Sequence, residues 1–153
     1  MRYTTEVRIA QPRAKVVALF DNPDNLRQWQ PELLSMEPLE GIPGQPGSRT
    51  RFLYRMGKGE LEMVETIELR QLPERFRAVF EAEGVWNRCD NHFIDQQAHT
   101  LWRMENEFRC RGWMRLMTWF APWMFKRQTR QSMARFQAFA EREGGEAGSG
   151  GSQ

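Results

Sequence analysis

The sequence predicts an α+β domain in which an antiparallel sheet of about seven strands packs against one long C-terminal helix. Three observations lead to this prediction. Seven segments alternate apolar and polar residues with period two, which is typical of strands with one covered face. Two short helices follow the first strand, and each is opened by a proline. Residues 113–143 form the only long segment with helical spacing and without a cluster of turn residues.

Composition limits the chain to one globular domain. It has 153 residues, of which 40% are apolar and 27% charged, and it has no apolar run long enough to span a membrane. Residues 1–143 are therefore predicted to form one domain, and the Gly- and Ser-rich residues 144–153 a flexible tail. The N-terminus lacks an apolar signal segment, and Cys89 and Cys110 form no CxxC pair. We expect a cytoplasmic protein without a disulfide framework, a metal site or a cofactor.

Turn residues divide the chain into its elements. The strand candidates are residues 2–10, 34–40, 49–56, 61–72, 76–82, 85–95 and 100–110. Pro12 opens the first short helix and Pro23 the second, because proline fits the first helical position. Pro31 ends the second helix, and the Gly- and Pro-rich residues 41–47 separate the next two strands. The predicted order is one strand, two helices, six strands and one helix.

The hairpin turns also predict a register. Asp90 is expected opposite Arg77 on one neighbouring strand and Arg103 on the other, with Arg88 opposite Glu105. Complementary charges in these positions are typical of a solvated sheet face. The other face is mostly apolar and is predicted to be covered. It includes Phe52, Tyr54, Met63, Glu65, Phe80, Asn87, Asn91, Trp102, Met104 and Asn106.

Polar residues interrupt this covered face. Glu65 lies among apolar neighbours, Asn87 is predicted opposite Asn106, and Asn91 opposite Trp102. Burying a polar group without a partner costs about 1–3 kcal/mol. These side chains therefore either satisfy one another or face a space that holds water or a ligand, and the sequence leaves both interpretations open.

The long C-terminal segment has two different halves. Its second half is amphipathic, whereas its first half is apolar nearly all round. Pro122 removes a helical hydrogen bond, so a kink or break is predicted between Thr118 and Pro122. The apolar half fits a core helix, and it also fits a helix that lines a cavity with Met117, Phe120 and Met124.

Positive charge is concentrated in the same segment. Between Phe108 and Ala140 the chain has seven basic residues and no acidic one. Such a helix suits an anionic ligand, an anionic membrane surface or a partner, and it also suits a helix that only needs a solvated face. Nucleic-acid binding is not expected, because the basic residues alternate with aromatic residues predicted to be buried.

Catalytic signatures are missing from the sequence. It contains no nucleotide-binding loop, no nucleophile elbow, no HExxH motif and no EF-hand loop. His92 is predicted on the charged sheet face and His99 in a hairpin turn, without a nucleophile or metal-ligand partner at useful spacing. The sequence therefore predicts no catalytic residue, and Glu65 is the one candidate for such a role.

Three segments carry a resemblance to a known superfamily. They are VRIAQPRAKVVALFDNPDNLRQW, LEMVETIELRQLPERFRAVFEAEGVWN and FRCRGWMRLMTWFAPWMFKRQTRQSMARFQAFAERE. With the order of elements, they make residues 2–143 resemble the START-like, or SRPBCC, superfamily of polyketide cyclase and dehydrase type. The resemblance implies the helix-grip fold, in which a curved antiparallel sheet wraps around the long helix and a hydrophobic ligand lies between them. The chain has no Rieske or iron-ligand motif, which excludes the oxygenase branch.

These features predict a bacterial-type protein that binds an apolar or aromatic small molecule, lipid-, steroid- or polyketide-like, between the sheet and the C-terminal helix. The predicted ligand-binding residues are Phe52, Tyr54, Met63, Glu65, Phe80, Asn87, Asn91, Trp102, Met104, Asn106, Met117, Phe120 and Met124. One alternative is a polyketide cyclase or dehydratase with Glu65 as acid or base. Another is a membrane-surface module that makes a weak contact through the basic, Trp- and Met-rich helix. The sequence leaves the oligomeric state open.

Overall fold

A seven-stranded antiparallel sheet and four α-helices make up the computed structural model, which describes the backbone of residues 1–150 and the side chains of residues 1–144. The strands are β1 (Arg2–Ile9), β2 (Leu33–Glu40), β3 (Arg49–Met56), β4 (Gly59–Gln71), β5 (Arg75–Ala82), β6 (Val85–Gln96) and β7 (His99–Cys110). The helices are α1 (Arg13–Asp21), α2 (Leu26–Trp29), α3 (Trp113–Phe120) and α4 (Pro122–Gly150), and a 3₁₀ turn (Pro23–Asn25) precedes α2. The predicted α+β fold and order of elements are confirmed.

The sheet is continuous and curved. Its strand order is β1-β7-β6-β5-β4-β3-β2, so β2 to β7 pair as consecutive hairpins and β1 joins the edge at β7. The helices lie on the concave face, where α4 packs chiefly against β1 and α2. Within residues 1–150, no helix is long and apolar enough to cross a membrane.

The predicted register is right between β5 and β6 and wrong between β6 and β7. Asp90 lies opposite Arg77 as expected, but its partner on β7 is Glu105 rather than Arg103. The β6–β7 hairpin closes on a two-residue turn, in which Gln97 has a φ of 65°. The predicted turn, Gln96 and Gln97, has the same length but lies one residue earlier in the chain, and this difference moves each partner by two residues. Because side chains alternate with period two, every residue of β6 and β7 stays on its predicted face.

A β-bulge in β4 alters the sheet near α1. The register shifts between Ile67 and Leu69, which places Arg70 opposite Phe76. Arg70 then binds the carboxylate of Asp21 at the end of α1 through two nitrogens, at 2.6 and 2.7 Å. The bulge bends the strand, and the ion pair attaches α1 to the sheet.

The hydrophobic core fills one end of the concave face. It is made by α1, α2, the middle of α4 and the strands β1, β6 and β7. Its members are Ile9, Val16, Val17, Leu19, Trp29, Phe93, Trp102, Met133, Phe136, Phe139 and Ala140. Phe20 packs edge-on against Phe93, Trp102 and Phe136, with ring centroids 5.0 to 6.1 Å apart. Apolar burial at this end holds the helices on the sheet.

The C-terminal segment is broken where the sequence predicts a break. α3 ends at Phe120, Ala121 has a non-helical backbone with φ −141°, and Pro122 opens α4. The proline occupies a first-turn position, where its missing N–H leaves no helical hydrogen bond unmade. The backbone of α4 continues to Gly150, and residues 151–153 lie outside the described residues. The flexible tail over residues 144–153 stays a prediction.

Candidate functional site

The site lies on the concave face of β3, β4 and β5, beside the main contacts of α4. Period-two alternation places five predicted ligand-binding residues there: Phe52, Tyr54, Met63, Glu65 and Phe80. Phe52 is buried, and the other four are partly exposed. Phe52 stacks on Tyr54 and tilts against Phe80, with centroid distances of 6.1 and 6.5 Å. We call these five residues the concave floor.

Glu65 is the charged member of the concave floor. It lies opposite Thr50 on β3 and Phe80 on β5. Burial raises the pKa of its carboxyl to about 7, and no partner within the described side chains offsets this rise. Burial favours the neutral form of a carboxyl group that has neither a cation nor a hydrogen-bond donor beside it. The group therefore changes charge close to neutral pH.

Tyr54 connects the concave floor to α2. Its hydroxyl donates a hydrogen bond to Oε1 of Gln30, the residue that ends α2, at 2.7 Å. Burial raises the pKa of Tyr54, and the charges of Glu65 and Glu32 add to the increase. The phenol therefore remains a neutral donor beside the Glu65 carboxyl.

Two asparagines form a polar contact further along the same face. Nδ2 of Asn87 donates to Oδ1 of Asn106 at 3.1 Å and to the backbone oxygen of Glu107 at 3.2 Å. The predicted direct opposition is wrong, because Asn87 faces Phe108 and Asn106 faces Cys89; the two asparagines meet diagonally. The Nδ2 atom of Asn106 is buried and has no hydrogen-bond partner among the described residues. The Asn106 amide nitrogen on the concave face can therefore still donate a hydrogen bond to a further partner.

Asn91 and Trp102 lie in the core rather than on the open part of the face. Nε1 of Trp102 donates to Oδ1 of Asn91 at 2.9 Å, and Nδ2 of Asn91 donates to the backbone oxygen of Phe76. Trp102 is 0% exposed, and Met104 packs beside this core. The hydrogen bonds of this pair are satisfied within the protein. A ligand contact for Asn91, Trp102 and Met104 stays a prediction.

The three predicted residues from the C-terminal helices are not brought to the concave floor as a group. Met117 is partly buried, whereas Phe120 is 80% exposed and Met124 is also exposed. Phe120 instead borders a surface hollow of about 300 Å³ whose other lining residues are Gly112, Arg115, Leu116 and Trp119. The sequence showed that this segment is apolar nearly all round, but not which of its sides faces the sheet.

The contact between α4 and the sheet uses residues that were not predicted as site residues. The hydroxyl of Tyr3 lies 2.6 Å from Oγ1 of Thr129 and donates to the backbone oxygen of Phe125. The ring of Phe108 lies between Tyr3 and Phe125, with centroid distances of 5.9 and 5.0 Å. The alternation of apolar residues in β1 and β7 indicated that Tyr3 and Phe108 each lie on the apolar face of their strand, but the sequence did not show which turn of α4 contacts them.

A second cluster of ionisable groups lies on the convex face. One side-chain oxygen or nitrogen atom from each of Asp90, His92 and Glu105 lies within 4.8 Å of the other two, a spacing at which they could hold a metal ion. Arg75 already occupies the Asp90 carboxylate with two hydrogen bonds, at 2.6 and 2.9 Å. Burial opposes ionisation of Asp90, but Arg75, with His92 and Arg77, holds the pKa of the carboxyl below its usual value. The cluster is an ion-pair network that ties β5 to β6.

The sequence matches the family model for polyketide cyclase / dehydrase and lipid transport over residues 1–141. The chain belongs to this family. Membership agrees with the START-like resemblance, and it supports binding of a hydrophobic small molecule or cyclase-type chemistry. No curated protein matches the sequence.

Solved structures of the same fold extend over nearly the whole family domain. The Zhui aromatase/cyclase from Streptomyces sp. R1128 has a TM-score of 0.75 at 15% identity, covering 93% of this chain and 94% of that one. A START superfamily protein from Mycobacterium smegmatis has a TM-score of 0.74 at 10% identity, with coverages of 92% and 97%. Norcoclaurine synthase from Thalictrum flavum has a TM-score of 0.70 at 12% identity, with coverages of 94% and 95%. At these identities the likeness establishes the helix-grip fold alone.

Proposed function

We propose that the protein binds an apolar or aromatic small molecule that carries a hydroxyl or carbonyl group, and that it holds this molecule on the concave floor. The observation that carries the proposal is Glu65, a carboxyl group among apolar side chains without a partner among the described residues. Such a group costs free energy in the empty protein. A ligand that hydrogen-bonds to it would recover part of that cost, as the few polar groups of an apolar site do.

The spacing of the polar groups supports a ligand of several rings or a comparable acyl chain. Glu65 is on β4, and the Asn106 amide that lacks a partner is on β7, three strands away. Three strand spacings amount to roughly 14 Å. Between them lie Phe80 on β5 and Asn87 on β6. A lipid-, steroid- or polyketide-like molecule is long enough to contact both ends of this row.

Acid–base catalysis on such a ligand is the second candidate function. It is favoured by the pKa of Glu65, which burial brings to about 7. A group that titrates near the working pH serves best as a general acid or base. Tyr54 would stay neutral beside it, with its hydroxyl proton donated to Gln30. Family membership is compatible with this chemistry as well as with simple binding.

Two measurements test these functions. Native mass spectrometry of protein purified from its host is expected to show a retained apolar ligand, and titration calorimetry is expected to show tighter binding of 2-naphthol than of naphthalene. Protein that retains no ligand and binds neither compound would contradict the proposal. Incubation with aromatic polyketide surrogates separates the two functions, because turnover that is lost in Glu65→Gln indicates an enzyme, and binding without turnover indicates a carrier.

A further inference from the structure

Large apolar side chains are exposed along α3 and the first turn of α4. They are Trp113, Leu116, Trp119, Phe120, Trp123 and Met124, with exposed fractions from 43% to 80%. We call these six residues the outward apolar surface. Single exposed apolar residues are ordinary on a protein surface, but a group of this size indicates a site of interaction.

The orientation of α3 is fixed by its inward side. The backbone N–H of Arg111 donates to the backbone oxygen of Gly84 at 2.8 Å, in the turn between β5 and β6. Met114 packs against the same turn: a methyl group placed on Cα of Gly84 would lie 3.7 Å from Cγ of Met114. Met114 and Met117 are partly buried, whereas Leu116 and Phe120 point outward. The outward apolar surface is therefore presented by anchored helices.

Unneutralised positive charge surrounds this surface. Arg111, Arg115, Arg127 and Arg130 are exposed, Lys126 is partly buried, and none of them takes part in an ion pair among the described side chains. The neighbouring basic residues of the chain differ, because Arg109 pairs with Glu107 and Arg135 pairs with Glu32.

We propose that the outward apolar surface docks on an anionic lipid bilayer. Tryptophan and other large apolar side chains partition into the boundary between headgroups and acyl chains, and arginine and lysine bind the anionic headgroups. A second copy of the chain is a poorer partner, because self-pairing would bring two segments of the same charge together. This surface has a role beyond ligand binding, since it places the concave floor at a membrane whether or not a ligand is bound.

Vesicle co-sedimentation tests the proposal. The protein is expected to sediment with vesicles of equimolar phosphatidylcholine and phosphatidylglycerol, and to bind vesicles of phosphatidylcholine alone at least about tenfold more weakly. Added salt should weaken the binding, because it screens the headgroup charge. A protein that sediments with neither kind of vesicle, or equally with both, would overturn the proposal.

Variants locate the binding surface. Trp119→Ser combined with Phe120→Ser should lower affinity by at least about tenfold, since two large side chains no longer enter the bilayer. The control is Ile42→Ser, an equally exposed apolar residue in the β2–β3 turn that should leave binding unchanged. Arg115→Gln and Arg127→Gln should each lower affinity by about fivefold, and Lys58→Gln should not.

Two results would contradict this location. Undiminished vesicle binding by the Trp119→Ser and Phe120→Ser double variant, with its melting temperature unchanged, would place the lipid contact elsewhere. A stable wild-type dimer in sedimentation velocity, dissociated by the same double variant, would assign the outward apolar surface to self-association and overturn the membrane proposal.

Discussion

Replacement of Glu65 by leucine is expected to stabilise the empty protein at neutral and alkaline pH while removing its preference for a hydroxylated ligand. Burial raises the pKa of the Glu65 carboxyl from 4.5 to about 7, so the folded protein keeps a proton that the unfolded chain loses. The stabilisation from the protonated group is complete below about pH 4.5 and is lost as the pH rises through about 7. Above that pH, Glu65→Leu should therefore raise the free energy of unfolding by up to about 3 kcal/mol.

The measurement is urea unfolding between pH 4 and pH 8, with Glu60→Gln as the matched control on the same strand. Glu60 is exposed and is the second residue of β4, so its variant should keep the wild-type dependence on pH. Glu65→Leu should lose the decline in stability above pH 4.5 and bind 2-naphthol no more tightly than naphthalene, a loss of about tenfold in selectivity. A lower melting temperature together with unaltered naphthol affinity would defeat the hypothesis.

The conservative variant separates the charge of Glu65 from its hydrogen bond. Glu65→Gln removes the titration but keeps groups that can bond to a hydroxyl or carbonyl. It should therefore flatten the dependence of stability on pH, as Glu65→Leu does, and keep the preference for 2-naphthol. Loss of that preference in Glu65→Gln would show that binding of the hydroxylated ligand requires the carboxyl group of Glu65 itself.

Replacement of Phe136 by alanine is expected to cost about 3–5 kcal/mol of stability. Phe136 is 0% exposed, and its ring lies 5.2 Å from that of Trp29 and 5.1 Å from that of Trp102. The vacated space is enclosed by rigid aromatic rings, so little of it can collapse. Denaturant unfolding, followed by circular dichroism, measures the loss.

The matched control is the same substitution in the same C-terminal segment. Phe120→Ala removes an exposed ring, so it should change the free energy of unfolding by less than about 0.5 kcal/mol. Similar losses in the Phe136→Ala and Phe120→Ala variants would mean that α3 packs against the protein in solution, and the outward apolar surface would then not exist as described.

The faces of the sheet could be predicted from sequence because alternation is a local property. It placed Glu65 among apolar residues correctly, and the turn residues located the hairpins. The β6–β7 register was wrong because the two-residue turn lies one residue later in the chain than predicted, with Gln97 at a φ of 65°. A shift of two residues is invisible to an alternation of period two.

Contacts between distant segments could not be predicted in the same way. Helical spacing showed that α3 is apolar nearly all round, but which of its sides is covered depends on where the helix is anchored. Hydrogen bonds such as those from Tyr54 to Gln30 and between Tyr3 and Thr129 join residues that no local pattern connects. The sequence therefore predicted the composition of the candidate site better than its boundary.

The seven-stranded sheet can be completed only after β7, near the C-terminal end of the chain, has been synthesised. β2 to β6 pair through local hairpins, but β1 pairs only with β7, and Arg2 bonds to Glu107 across 105 residues. During synthesis β1 therefore has no strand partner until β7 has left the ribosome, and such non-local pairing is slow. We infer that β1, while it is unpaired, is the segment of the nascent chain that most readily pairs with a wrong strand. Ribosome-bound chains that end before His99 should be cut by protease within β1, and protection there at that length would contradict this order of folding.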